Sequence, residues 1–135
     1  MNANSKHEVL SPKQVQIIKK QSPKVYDLEG RTLLFAKNIL GYVSKMQRTL
    51  GNIETCKQLV RSAGSVGANY IEANESLSKK DFLMRIKISR KEAKETRYWL
   101  NLVESSEALR SEKEKLIQEA TELMKIFGSI VSKSV

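Results

Sequence analysis

The sequence has little of several residue types that direct folding or chemistry. With one cysteine in 135 residues, the chain cannot form an internal disulfide. One cysteine and one histidine, His7, are too few ligands for a structural zinc site. No apolar run approaches the roughly 20 residues that cross a bilayer, and the polar N-terminus lacks the apolar core of a signal peptide. We therefore expect a soluble, cytoplasmic domain that makes no membrane contact.

Proline and glycine are also scarce, with two and six residues. Both prolines, Pro12 and Pro23, lie in residues 1–25, which have no sustained apolar period. We expect residues 1–25 to form a mobile basic arm, flexible or partly helical, and residues 26–135 to fold as one domain. The alternation typical of strands is missing after the arm. The domain is therefore predicted to be all-α.

Four segments of this domain carry apolar residues at the spacing of one helix face. Gly51-Asn52 is a predicted stop followed by a cap, and Ser78 and Ser111 are further predicted N-caps. Because the connections are short, consecutive helices should pack antiparallel. The prediction is an antiparallel up-down-up-down four-helix bundle whose first three helices span about residues 27–48, 53–75 and 79–104. The fourth follows the capping box at Ser111 and carries its apolar stripe from Leu116 to Val131.

The residues that could carry chemistry do not form a catalytic constellation. A di-iron bundle needs Glu-x-x-His pairs on facing helices, and the sequence contains none. Cys56 lies on the predicted apolar face of the second helix, where a free cysteine is most often a small core residue. Glu72, Glu75 and Asp81 could hold a hard cation, but the nearby cations favour ordinary surface ion pairs. The sequence therefore predicts no enzyme, no cofactor and no metal.

Positive charge is the property that points to a partner. The chain has 24 Lys and Arg against 15 Asp and Glu, a formal net charge of +9. Residues 77–105 carry eight basic and four acidic side chains, and residues 1–27 carry five and two, whereas residues 106–135 are balanced. Such an excess favours polyanionic partners, above all nucleic acid.

Cations of the third predicted helix occupy one arc of its helical wheel, with a tyrosine among them. We call this set the basic ridge: Lys80, Lys87, Arg90, Lys91, Lys94, Arg97 and Tyr98. Its lysines and arginines could contact phosphates while Tyr98 stacks on a base. The alternative is an ordinary solvated helix face, supported by carboxylates such as Glu95.

Extra apolar and small residues lie outside the predicted core stripes. A monomeric bundle of this size needs one apolar face per helix, so additional apolar lines suggest a surface covered by another subunit. Two helical glycines in Ser62-Ala-Gly-Ser-Val-Gly-Ala-Asn69 suggest a close approach, because each is about 1 kcal/mol less favourable than alanine. The approaching group could be Trp99 or Phe82 of the same chain, or another subunit. The predicted oligomer interface comprises Leu33, Leu40, Ser62, Ser65, Asn69, Met84, Ile88, Trp99 and Leu102.

Several motifs of the chain are distinctive together. They lie at residues 26–37, 59–75, 81–82 and 85–100, and the last contains the run Lys-Glu-Ala-Lys-Glu-Thr-Arg-Tyr-Trp-Leu at positions 91–100. With these motifs the sequence resembles the four-helix-bundle family named for the 23S ribosomal-RNA intervening-sequence proteins. The similarity covers about residues 25–131 and leaves the first 24 residues outside.

The resemblance implies a bacterial protein with no enzyme activity and no catalytic or ligand residues to carry over. It implies a homopentameric ring of bundles, since structurally studied relatives form such rings. Related accessory proteins of diversity-generating retroelements are basic pentamers that bind nucleic acid and a reverse transcriptase.

Two functions of different classes follow. The first is a ring-forming, non-enzymatic bundle that binds RNA or DNA electrostatically, with self, nucleic acid and a nucleic-acid enzyme as partners. The second is an oligomeric protein–protein scaffold in which the ridge pairs with Glu72, Glu75 or Glu92 of a neighbouring subunit.

Overall fold

A computed structural model describes residues 28–134, which form four α-helices. A 3₁₀ turn at Glu107–Leu109 precedes the last of them, and no part of this range forms a β-strand. The all-α bundle is therefore confirmed, while the predicted arm, residues 1–25, lies outside the described residues. The helices are α1 (Leu28–Val43), α2 (Leu50–Asn74), α3 (Lys79–Leu102) and α4 (Arg110–Ser134).

Contacts between side chains show that consecutive helices run antiparallel. The end of α2 lies beside the start of α1, where Asn74 Nδ2 donates to a carboxylate oxygen of Glu29 at 2.9 Å. Near the middle of α2, Ser62 Oγ accepts a hydrogen bond from Thr96 Oγ1, close to the end of α3. The bundle closes because α1 also packs against α4.

Each helix buries one apolar stripe, and the four stripes make a single core. The largest fully buried side chains come from all four helices: Phe35, Ile39, Tyr42, Leu59, Ile86, Leu100, Leu123 and Phe127. Near the C-terminal end of α2, the Tyr70 ring packs against the Phe127 ring of α4, with centroids 5.9 Å apart. None of the helices described is long and apolar enough to cross a membrane.

Two helix starts differ from the predicted caps. Thr49, and not Asn52, caps α2, because its hydroxyl accepts a hydrogen bond from the Asn52 backbone N–H at 3.1 Å. The α1 helix accordingly ends at Val43, five residues before the predicted boundary. Ser111 lies inside α4, because the 3₁₀ turn has already brought the chain to helical geometry by Arg110.

Asn52 joins the two loops at one end of the bundle instead of capping a helix. Its Nδ2 donates to the backbone oxygens of Gln47 and Glu104 at 3.0 and 2.9 Å, and its Oδ1 accepts from the Glu104 N–H. The predicted cap at Ser78 is confirmed, since Ser78 Oγ accepts from the Asp81 N–H at 3.1 Å.

Of the two glycines in the middle of α2, only Gly67 is explained by packing within the chain. A Cβ there would lie 2.8 Å from Thr32 Oγ1 and 3.1 Å from Thr32 Cβ, so α1 approaches α2 closely at this point. The neighbour is therefore Thr32, and the expected contact with Trp99 or Phe82 is wrong. At Gly64 a Cβ would meet nothing within 4 Å.

This difference predicts opposite effects of the same substitution. Gly64→Ala should raise the free energy of unfolding by up to about 1 kcal/mol, through helix propensity alone. Gly67→Ala should lower it by roughly 1–2 kcal/mol, because the clash with Thr32 exceeds the propensity gain. Urea unfolding followed by circular dichroism measures both. Equal stability of the two variants would contradict the close approach of α1 and α2.

Candidate nucleic-acid interface

The basic ridge runs along the outer side of α3. Its lysines, Arg90 and Tyr98 are exposed, and Arg97 is half-buried. At 1.5 Å per residue, the ridge extends about 27 Å from Lys80 to Tyr98. The sequence-derived arc therefore corresponds to a real exposed surface of the bundle.

Two arginines of the ridge extend across the seam between α3 and α4. Arg97 Nη1 donates to Thr121 Oγ1 of α4 at 3.2 Å. Arg90 lies over Gly128, where a Cβ would be 3.7 Å from Arg90 Nη1. The small side chains on α4 thus leave room for the guanidinium groups, and the cationic surface widens beyond α3.

Sequence reasoning missed Lys125, which belongs to the same surface. It lies four residues after Thr121 and three before Gly128, so it shares the side of α4 that α3 contacts. Its side chain is exposed. Residues 106–135 carry equal numbers of basic and acidic side chains, so the charge count gave no reason to consider Lys125. Such a count does not show toward which neighbouring helix each side chain points. No signal in the sequence alone marks Lys125, because only the packed structure shows that Thr121 and Gly128 face α3.

Two of the three carboxylates of α3, Glu92 and Glu95, point away from this seam, toward α2. Glu92 Oε1 and Glu95 Oε1 both contact Arg61 Nη2, at 3.4 and 3.2 Å. Glu92 is buried and is therefore committed to the α2–α3 contact. Because Glu92 and Glu95 face α2, they contribute little negative charge to the outer side of α3. Their remaining contact with the ridge is the 3.9 Å distance between Lys91 Nζ and Glu92 Oε2.

Three of the four carboxylates of α4 point in the opposite direction, toward α1, while Glu114 lies two turns before Thr121 on the side of the seam. Glu119 and Glu122 contact the Arg31 guanidinium at 2.7 and 3.1 Å. The hydrogen bonds that Arg31 donates to Glu119 raise the pKa of Arg31. Nearer the loops, Glu112 pairs with Lys45 of α1 at 2.9 Å.

The result is a surface on which cations stand unneutralised. Within residues 28–134, no carboxylate lies within 4.0 Å of the side-chain nitrogens of Lys87, Arg90, Lys94 or Lys125. We call the following set the cation face: Lys87, Arg90, Lys91, Lys94, Arg97 and Lys125. Lys80 and Tyr98 lie along the ridge toward its two ends.

The predicted interface residues are not all on the outside. Leu33, Leu40, Met84 and Leu102 are exposed, while Ile88 and Trp99 are partly buried. The prediction that Ser62 belongs to the oligomer interface is wrong. Its side chain has no exposed surface, and its Oγ accepts a hydrogen bond from Thr96 Oγ1 of the same chain at 2.9 Å.

Asn69 and Ser65 lie on the same inward side of α2. Asn69 Oδ1 accepts from Arg85 Nη1 of α3 at 3.0 Å, and Asn69 Nδ2 donates to the Ser65 carbonyl oxygen. These contacts correct the view of this polar side as an outer face. It is occupied by α3, and the buried hydroxyls of Ser89 and Thr96 donate across this contact to the Val66 carbonyl oxygen and to Ser62 Oγ.

The exposed small and apolar side of α2 is a different one, next to α1. Gly64 lies three residues before Gly67 and Ile71 four after it, so both share the side that Gly67 turns to α1. Leu33 is one turn after Glu29, which contacts α2, and Leu40 lies two turns further. We call Leu33, Leu40, Gly64 and Ile71 the α1–α2 face.

A groove of about 460 Å³ lies where α1 turns into α2. Its lining includes Val43, Met46, Ile53 and Cys56. Burial raises the pKa of the Cys56 thiol, which favours the protonated, weakly nucleophilic form. In the described part of the chain, no three or more His, Cys, Asp or Glu side chains are grouped so as to hold a metal ion.

Comparison with known proteins identifies relatives of this bundle. A crystal structure of a protein of unknown function from the S23 ribosomal protein family of Bacteroides thetaiotaomicron VPI-5482 is 34% identical. The match covers 76% of this chain and 96% of that chain, with a TM-score of 0.67. Among curated proteins, no match was found. The family model for 23S rRNA-intervening sequence proteins matches residues 27–129. With its four antiparallel helices and this match over most of its length, the chain belongs to the 23S rRNA-intervening sequence protein family.

Proposed function

We propose that the protein is a non-catalytic, ring-forming bundle that binds RNA or DNA electrostatically through the cation face. In this role it serves as an accessory to a nucleic-acid enzyme such as a reverse transcriptase. The observation that carries the proposal is the direction of the carboxylates. Those paired on α3 and α4 reach to Arg61 on one side and to Arg31 and Lys45 on the other. The cations at the seam between α3 and α4 are therefore available to contact the phosphates of a polyanion.

Binding of this kind is driven by phosphate contacts and by release of the counterions condensed on the nucleic acid. The arginines can form bidentate hydrogen bonds to phosphate, while the lysines act as mobile point charges. None of the described elements has the arrangement of a groove-reading motif. Sequence preference should therefore be weak.

A salt titration tests the proposal directly. If the six cations of the cation face each neutralise one phosphate, the logarithm of the association constant should fall with the logarithm of salt concentration at a slope of about −4 for a single strand. Fluorescence anisotropy of a labelled RNA, measured between low and moderate salt, gives this slope. An affinity independent of salt, or no binding at low salt, would refute the phosphate contacts.

Two separate exposed apolar surfaces support ring formation. The α1–α2 face and the apolar line of α3 (Met84, Ile88, Trp99 and Leu102) lie on different sides of the monomer. Contact between two different surfaces is heterologous, and such contacts form a ring when the rotation from one subunit to the next closes. A ring would also present several cation faces to one nucleic acid and so raise its overall affinity.

The structure also bears on the scaffold alternative. In that alternative the ridge of one subunit would pair with acids of the next, Glu92 among them. Glu92 is buried and already contacts Arg61 of its own chain, so it is not available to a neighbour. A scaffold function would show as negligible nucleic-acid affinity at moderate salt together with loss of the oligomer when the ridge is altered.

A further inference from the structure

Tyr98 is unusual among the aromatic side chains of the bundle because 60% of its surface is exposed. Its ring is held edge-to-face against Trp99, with centroids 4.9 Å apart and an angle of 78° between the planes. Trp99 is itself partly buried and packs against the core. The core thereby supports the Tyr98 ring through Trp99, while much of the ring remains open to solvent.

Tyr98 also lies in line with cations of the ridge. Lys94 precedes it by one helical turn and Lys91 by two, which corresponds to about 6 and 10 Å along the helix axis. Lys94 has no carboxylate within ion-pair distance among the described residues. An open aromatic ring beside a row of cations combines the two elements with which proteins hold single strands, namely base stacking and phosphate contacts.

We infer that this end of the ridge selects unpaired nucleotides, with one base stacked on Tyr98 and the adjoining phosphates on Lys94 and Lys91. This inference rests on the proposed nucleic-acid binding and adds which form of nucleic acid is bound. Bases inside a duplex have both faces covered by their neighbours, so only an unpaired or terminal base can stack on the ring. Because Trp99 restricts the ring, less rotamer freedom is lost on binding.

The test compares oligouridylate, oligothymidylate and a blunt-ended RNA duplex of equal length. The wild-type protein should bind both single strands more tightly than the duplex. Tyr98→Ala should weaken single-strand binding by about 5- to 150-fold, the range found for one stacked base. The same substitution should change the affinity for the duplex much less, because the duplex offers only its two terminal base pairs for stacking. Tyr98→Phe, which keeps the ring, should retain the single-strand affinity.

The chain offers an internal reporter, since Trp99 is its one tryptophan. Stacking of a base on the adjoining Tyr98 should change Trp99 fluorescence saturably with either single strand and little with the duplex. Oligouridylate and oligothymidylate differ in the 2′-hydroxyl and in the 5-methyl group of the base, and a contact to the 2′-hydroxyl would favour the first. Equal binding of the two would mean that stacking and phosphates suffice.

The outcomes distinguish failure of this inference from failure of the proposed function. If the wild-type protein binds none of the three probes, both fail. If it binds single strands and the duplex equally, or if Tyr98→Ala weakens both alike, electrostatic binding stands and the selection of unpaired nucleotides is refuted. If Tyr98→Ala instead lowers the mass of the oligomer, Tyr98 is a subunit contact and the inference is overturned.

Discussion

Exchange of Lys87, Lys94 and Lys125 for glutamate is expected to weaken nucleic-acid binding by at least about 100-fold at physiological salt. Each phosphate contact contributes on the order of 1 kcal/mol under these conditions through counterion release, and the triple variant loses three of them. The new carboxylates would in addition repel the phosphates. The fold should persist, because all three side chains are exposed and none pairs with a carboxylate among residues 28–134. Anisotropy titrations at fixed salt measure the change.

A matched control changes the net charge equally at other places. Lys115→Glu, Lys133→Glu and Arg48→Glu also alter three exposed cations. Lys115 lies one turn before Glu119, on the side of α4 that faces α1, and Arg48 lies in the turn before α2. This variant should lose much less affinity. Equal losses in the two triple variants would mean that binding depends on net charge alone and that the cation face has no special role.

The second large effect concerns the oligomer. Leu33→Glu combined with Leu40→Glu should convert the proposed ring to 15.3 kDa monomers, measured by light scattering. Burial of a leucine contributes about 1.5–3 kcal/mol, so loss of both weakens each subunit contact by several kcal/mol, before the cost of burying charge. Both leucines are more than half exposed in the monomer, at 56% and 53%, and the bundle itself should remain folded.

Leu34 provides the control for this experiment. It is as exposed as its neighbour, at 57%, but lies about 100° further around α1, away from the α1–α2 face. Leu34→Glu should leave the mass unchanged. A wild-type protein that is already monomeric, or equal dissociation by Leu34→Glu, would contradict the assignment of this face.

Much of the candidate site could be predicted from residue spacing. The ridge on α3 follows from a period of 3.6 residues applied to lysines and arginines, and its exposure depends only on the apolar stripe lying opposite. Lys125 could not be found in this way, because its place in the site depends on α4 packing beside α3. The direction of Glu92 and Glu119 likewise depends on the arginines that neighbouring helices bring close to them.

The misplacement of Ser62 has a similar cause. A serine shortly before two glycines and an asparagine looks like part of an outer polar face. In the bundle, Ser62, Ser89 and Thr96 form a polar contact between α2 and α3, where each hydroxyl is satisfied by a partner. A helical wheel separates apolar from polar residues, and it places buried hydroxyls with the polar ones. Only the packed structure shows that these hydroxyls have partners inside.

The sequence by itself determined the number of helices, their antiparallel order and the existence of a cationic side on α3. These properties depend on local periodicity and on short connections, and both can be seen in a single sequence. The tertiary structure decided which charges remain available. Local spacing does not show that five of the seven acids of α3 and α4 reach away from the seam to Arg61, Arg31 and Lys45. Those pairs join residues 31 to 91 positions apart, and they leave the seam between α3 and α4 positively charged.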